Sequence, residues 1–286
     1  MSPERTESGR RAFLRACNLD LAVRKPGNVS LASPGHGMHA GQFLAAAAAA
    51  AGPICAAGAS VGERIEEGVR AAWQASGCNT NLGIVLLCAP VLAAFERGAD
   101  GPQSLRASLR SVLDTLDRED ARAAFRAIAL ARPGGLGEVP EQDVRSEPTM
   151  GLREAMALAA HRDRIAWQYI HAHADVFELG LPAFLAAADQ ARGMEAAFLE
   201  FLAAWPDSHI VRKHGDAMAQ CVIGEAAHWC ARARRGEVLD QDPAFAAWDE
   251  ALKARGLNPG TSADLCVAVA LTASLTASQA ASPRFY

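Results

Sequence analysis

Phe43 to Ala59 reads FLAAAAAAAGPICAAGA, with seven successive alanines (45–51) followed by Gly52 and Pro53. Whether this stretch crosses a membrane or packs inside a protein decides the fold class. Alanine contributes little transfer energy, and the run is shorter than the ~20 strongly apolar residues that a spanning helix needs. It therefore reads as a closely packed core helix. A break or kink is expected near Pro53, which lacks an N–H and crowds the turn before it. The periodicity on either side agrees. Apolar residues recur at three- and four-residue spacing over 12–23, 61–75, 105–116, 121–131, 152–170, 181–201, 217–233, 244–254 and 263–277. Alanine, leucine and arginine are strong helix formers, and no run of alternating β-branched residues marks a strand. The expected architecture is all-α, a single domain over 1–286 of roughly ten helices by this periodicity. Residues 132–150, rich in glycine and proline, form a flexible loop that suits a lid or a linker.

The totals narrow the function classes. A chain of 286 residues can bury a substantial core. A formal net charge of −4 gives no reason to expect a nucleic acid or an anionic membrane as partner. The seven cysteines contain no CxxC pair and several lie in apolar helical runs, which fits reduced, buried thiols. The N-terminus, Met1 to Arg11, is charged and no apolar h-region follows it, which argues against a secretory signal. The expectation is a soluble cytoplasmic protein acting on small molecules, with a homo-oligomer left open.

Three turns share one character. Asn258-Pro259-Gly260-Thr261-Ser262-Ala263-Asp264 runs into the apolar stretch 265–271. Pro259 presets φ, Gly260 admits close approach, and Thr261 or Ser262 can cap the free N–H groups of a helix start. Such a start binds anions, and Asp264 in its first turn can face a metal. Lys25-Pro26-Gly27-Asn28-Val29-Ser30 closes the first helical stretch, and Cys78-Asn79-Thr80-Asn81-Leu82-Gly83 precedes a further apolar run. One such turn is an ordinary capped boundary. Three suggest a polar site assembled from helix ends.

Other segments bring charge. Asp207 to Gly215, DSHIVRKHG, gathers a carboxylate, two imidazoles and two cations. Arg212 and Lys213 can neutralise phosphate oxygens, and Asp207 can hold a metal or act as a base. Arg153 and Glu154 open the helix after the long loop and, being adjacent, point in different directions. His171 and Asp175 are spaced i,i+4, but no further ligand run accompanies them, so a surface pair is expected rather than a metal site. Ser33 to Gly41 contains GxGxxxG after no convincing strand, so a dinucleotide fingerprint fails on context. No GxxxxGK[ST] or GxSxG motif is present. Phosphate binding must come from helix ends together with lysine and arginine.

Taken in order, Lys25-Pro26-Gly27, Asn79-Thr80-Asn81-x-Gly83, Gly151-x-Arg153-Glu154-Ala155, Asp207–Gly215 and Asn258-Pro-Gly-x-Ser-Ala-Asp264 resemble the triphosphoribosyl-dephospho-CoA synthase family over about residues 12–275. The resemblance implies a helical enzyme that uses ATP as ribosyl donor. The 2′-hydroxyl of 3′-dephospho-CoA displaces adenine from C1′, and Mg²⁺ accompanies the triphosphate. It also implies a nucleotide and phosphate site at Lys25, Gly27, Asn28, Asn79, Thr80, Asn81, Arg153, Arg212, Lys213, Gly260, Thr261 and Ser262. Asp207, Glu154 and Asp264 would divide the roles of proton acceptor and oxocarbenium stabiliser, with Asp207 and Asp264 on the metal. His209 or His39 would protonate the leaving base.

Two positions depart from the family's pattern. Members usually carry a histidine and a lysine after the asparagine–threonine pair, where this chain has Asn81 and Leu82. They also carry a carboxylate-rich stretch after the first turn, where this chain has Gly37-Met38-His39-Ala40-Gly41. The chain thus resembles a divergent branch, with relatives linked to tetrahydromethanopterin-dependent C1 metabolism. A pterin-precursor acceptor with an activated ribose phosphate is the alternative reaction, and a nucleotide-binding protein without catalysis is the alternative class. If the carboxylates are chemical, Asp264→Asn and Asp207→Asn should each abolish turnover with unfolding nearly unchanged.

Overall fold

The computed structural model describes residues 3–133, 144 and 146–277. Helix α1 (Pro3–Ala22) leads into α2 (Ala40–Ile54), α3 (Val61–Ser76), α4 (Leu82–Glu96), α5 (Pro102–Asp114) and α6 (Arg118–Ala131). Beyond the 132–150 segment come α7 (Leu152–Ala159), α8 (Arg164–Ile170), a π-helical turn (Asp175–Gly180), α9 (Leu181–Ala186) and α10 (Gln190–Ala204). Next come α11 (Ser208–His214), α12 (Asp216–Arg234), α13 (Pro243–Ala254) and α14 (Gly260–Ala277). The all-α expectation holds, with fourteen helices among the described residues and a single isolated bridge, Gly35 to Met38, in place of any strand. Residues 134–143 and 145 of the expected loop lie outside the described residues.

The alanine run is a core helix. Ala46, Ala47, Ala50, Ala51 and Ile54 of α2 are buried, and α2 packs against α3 and α1. Pro53 stands in its last turn. Helices α4 and α14 are buried over most of their surface and form the centre, touching each other and most other helices. By length and composition α14 could cross a membrane, yet 72% of it is buried inside this fold. Among the described residues the cysteines are free, and five of the seven are buried.

Two expected helices are each broken by an aspartate cap. Asp163 Oδ1 accepts the N–H groups of Ile165 (2.9 Å) and Ala166 (3.1 Å), so 152–170 divides into α7 and α8. Asp189 accepts Arg192 N–H at 2.9 Å and divides 181–201 in the same way. Apolar periodicity runs across both caps, which is why spacing alone joins the pieces. After α8, Ala172 and His173 take left-handed φ of 46° and 50°. The turn they make separates His171 from Asp175, and the expected surface pair does not form. His171 stacks on Trp167 at 3.8 Å, while Asp175 receives both arms of Arg164 at 2.7 and 2.9 Å.

Candidate active site

The three glycine-bearing turns meet. Asn28 Nδ2 donates to Asn258 Oδ1 at 2.8 Å, and Gly27 N–H donates to the buried Asp249 of α13 at 2.8 Å. Across from them, the first turn of α4 lies against the start of α14. A Cβ at Gly83 would stand 2.0 Å from Asp264 Oδ2, so only glycine lets this carboxylate lie on the α4 backbone. A Cβ at Gly260 would stand 2.5 Å from His209 Nδ1. The closeness that Gly260 permits is therefore that of the His209 ring.

These elements enclose a cavity of about 630 Å³. Its polar wall comes from the end of α1 (Asp20), the turn after it (Asn28, His36), the start of α4 (Asn79, Thr80, Asn81), α11 (His209, Arg212, Lys213) and the start of α14 (Gly260, Thr261, Asp264). Its apolar wall comes mainly from α6, α7 and α8, through Phe125, Ile128, Met156 and Ile165. Thr80 Oγ1, Asn81 Nδ2 and Arg212 Nε are buried with no hydrogen-bond partner among the described residues. Buried polar atoms normally have partners, so these mark positions where a polar ligand fits. Arg132, Arg162 and Lys213 add cations on the lining that form no ion pair among the described residues.

Asp264 opens into this space, and its carboxylate has no hydrogen-bond donor among the described residues. Its carboxyl titrates well above the ordinary carboxylate range, chiefly through desolvation and then through the charges of Asp20 and Asp207. His209 is pushed down to about 3 by burial and by the cations Lys213 and Arg212. Near neutrality it is therefore an uncharged imidazole, able to hydrogen-bond but unsuited to delivering a proton. His39, the other expected proton donor, caps α2 and does not reach the cavity.

Several expected site residues support the wall rather than line it. Lys25 is fully buried, and its ammonium is held by the Asp20 carboxylate (3.1 Å) and by the carbonyls of Asp20 and Val23. It closes the C-terminal end of α1 and does not reach the cavity lining. Asp207 Oδ1 accepts His209 N–H (2.9 Å) and Ile210 N–H (3.2 Å), while Oδ2 accepts Ser262 N–H and Oγ–H, both at 2.8 Å. Asp207 and Ser262 thus lock α11 to α14 behind the cavity. Glu154 accepts Gly151 N–H at 3.0 Å in a helix cap, and Arg153 reaches Asp114 and the Ile170 carbonyl in a separate cleft.

Asp20, Asp163, Arg132 and Arg162 also line the cavity, though the sequence does not single them out. Asp163 Oδ2 accepts Arg212 Nη1 at 2.7 Å and fixes the guanidinium on the lining. Its signal was a cap aspartate before an apolar run. Asp20, inside a helical stretch, carries no such signal.

Comparison with known families decides what this wall belongs to. The family model described as ATP:dephospho-CoA triphosphoribosyl transferase matches residues 6–282. The chain belongs to this family. It is a transferase of the triphosphoribosyl-dephospho-CoA synthase type, a coenzyme-biosynthesis enzyme whose small-molecule substrates, ATP and dephospho-CoA, are those of the family. A solved structure from Archaeoglobus fulgidus, provisionally assigned as a triphosphoribosyl-dephospho-CoA synthase, is similar over 83% of this chain and 99% of that one. Its TM-score is 0.64 at 21% identity, which carries the fold. No curated protein matches the chain. Within this transferase the departures from the family pattern fall on the cavity itself. Asn81 and Leu82 line it, as does Met38 from the stretch Gly37 to Gly41.

Proposed function

We propose that the transferase binds the triphosphate of ATP between the start of α4 and the basic residues of α11, and carries out substitution at C1′ beside Asp264. The observation that carries this reading is the set of unpartnered buried atoms on Thr80, Asn81 and Arg212 grouped around a desolvated carboxylate in one cavity. Arg212 and Lys213 meet phosphate oxygens, one as a planar fork and the other as a point charge. Thr80 and Asn81, with the free N–H groups of the α4 start, supply uncharged donors. Arg132 and Arg162 are suited to the diphosphate of the acceptor.

In this reading the 2′-hydroxyl oxygen of dephospho-CoA forms a bond to C1′ as the C1′–N9 bond breaks. The bonding pair leaves on adenine. Asp264 takes the hydroxyl proton and yields it to the departing base, so adenine leaves neutral and the carboxylate is restored. While ionised, Asp264 also stabilises positive charge at C1′. His209, held neutral, positions substrate by hydrogen bonding.

The donor set fits Mg²⁺ in part. Asp20, on the same wall, offers one of the one or two carboxylates typical of nucleotide-bound Mg²⁺, and phosphates and water would complete the shell, leaving Asp264 for proton transfer. Among the described residues no group of three or more His, Cys, Asp or Glu side chains is arranged for a metal. Asp207, whose two oxygens each accept two donors, has no place in that shell. Bound there, the ion would neutralise triphosphate charge. A soluble cytoplasmic enzyme is part of the same proposal. The test is release of adenine from ATP with dephospho-CoA present, followed by chromatography. Adenine in stoichiometric amount with the triphosphoribosylated product supports the reading, and neither product appearing overturns it.

A further inference from the structure

The α7–α8 hairpin has a second cleft on its other side. Met156 and Ile165 face the main cavity, whereas Arg153 and Trp167 line a separate space of about 470 Å³ against α5. Arg106 and Arg110, one turn apart on α5, join Arg153 there. Like charges at i,i+4 repel, so this spacing disfavours the empty helix slightly. Arg110 is exposed and has no partner among the described residues. Arg153 is loosely held, 3.5 Å from Asp114 and 3.3 Å from the Ile170 carbonyl, and its buried Nε has no partner. Arg106 pairs with Glu178 at 2.6 Å, but that carboxylate is 62% exposed and such a surface pair is weak.

The cleft also has an aromatic wall. Trp167 and His171 line it as a stacked pair with rings 3.8 Å apart. The left-handed Ala172 and His173 shape the adjoining turn, and the Ala172 carbonyl accepts Arg106 Nε at 3.3 Å. Non-glycine residues seldom occupy this region. Three guanidiniums, one unpaired and one with an unused buried donor, beside a planar stack are chemistry for a phosphate attached to a flat ring.

We propose that this cleft is a second site, separate from the cavity at Asp264, for a nucleotide-like ligand. Its phosphates meet Arg106, Arg110 and Arg153, and its ring extends the stack from the outer face of His171, since Arg164 covers the other face of Trp167 at 3.8 Å. The two sites share only the α7–α8 hairpin, so the proposal does not depend on the assignment of the main cavity.

The probe is ADP, titrated by calorimetry into the whole protein. Arg110→Glu, a change at an exposed position, should remove one equivalent of bound ADP, or weaken it at least tenfold, while adenine release in the absence of ADP is unchanged. Arg212→Ala should spare that equivalent and remove only one bound in the main cavity. Quenching of tryptophan fluorescence by ADP should shrink in Trp167→Phe. Equal stoichiometry and affinity in the wild type and Arg110→Glu would overturn the proposal. Inorganic diphosphate binding as tightly as ADP would overturn the role given to the aromatic wall.

Discussion

Asp264 and Asp207 are both buried aspartates near the start of α14, yet their surroundings set opposite expectations for replacement. Asp264 receives no hydrogen bond from the described residues and is desolvated beside Asp20 and Asp207, so its ionised form is disfavoured in the folded chain. A carboxyl raised on folding stabilises below the unfolded value of about 3.9, and that stability is lost as pH rises through the folded value. Asp264→Asn should therefore abolish adenine release, by roughly 10²-fold or more for a proton-transfer group. Its melting temperature should be equal to or above that of the wild type, with the difference growing towards alkaline pH. A variant that melts lower at pH 8 contradicts this. His209 has the reverse sign. Its folded value near 3 against about 6.5 unfolded means that stability is lost as pH falls from about 6.5 towards 3. Asp207→Asn keeps only one of two carboxylate oxygens, which leaves donors on α11 or α14 unpaired. The cost is about 2–4 kcal/mol, or a fall of roughly 5–10 °C in a domain of this size. An unchanged melting temperature would show that the lock is dispensable. The sequence showed both as aspartates at helix starts and could not tell a free carboxylate from a saturated one.

At the scale of elements, the site depends on how helix ends are tied together. Asp163 joins two functions, since Oδ1 caps α8 and Oδ2 holds Arg212 of α11 at 2.7 Å. Ser208 adds a second tie, its Oγ accepting Arg164 N–H at 2.8 Å. Asp163→Asn keeps a capping oxygen but loses the ion pair, so α8 should remain while Arg212 is released. The expected outcome is a KM for ATP several-fold higher with kcat within about threefold, because a positioning contact acts mainly on binding. Equal falls in kcat and kcat/KM would place Asp163 in the chemistry instead. These ties also mark where legibility stopped. The helices were readable because alanine and leucine repeat at helical spacing, and the turns at Gly27, Gly83 and Gly260 were readable as boundaries. Which turn faced which was not, because Asn28 reaches Asn258 across 230 residues of sequence. Lys25 read as a phosphate ligand for the same reason, since its burial arises from the fold of α1 around it.

At the scale of the molecule, α14 is the last element among the described residues and the middle of the structure. It packs against α1, α4, α5, α8, α9, α10 and α11, so the first helix and the last lie side by side. Without α14 the core around α4 loses its central partner, and the cavity itself joins residues far apart in sequence, Asp20 and Asp264 among them. The single-domain expectation therefore becomes a statement about cooperativity. Calorimetry should give one transition with van't Hoff and calorimetric enthalpies in agreement, as for a domain that unfolds as a unit. Leu271, fully buried in α14, supplies the perturbation. Leu271→Ala should cost about 2–5 kcal/mol through lost burial and a cavity. Because α14 borders both the α1–α6 half and the α7–α13 half, the whole transition should move down together. If Leu271→Ala split it into two, with one component unshifted, the halves would be separate folding units and the cavity would be an interface between them.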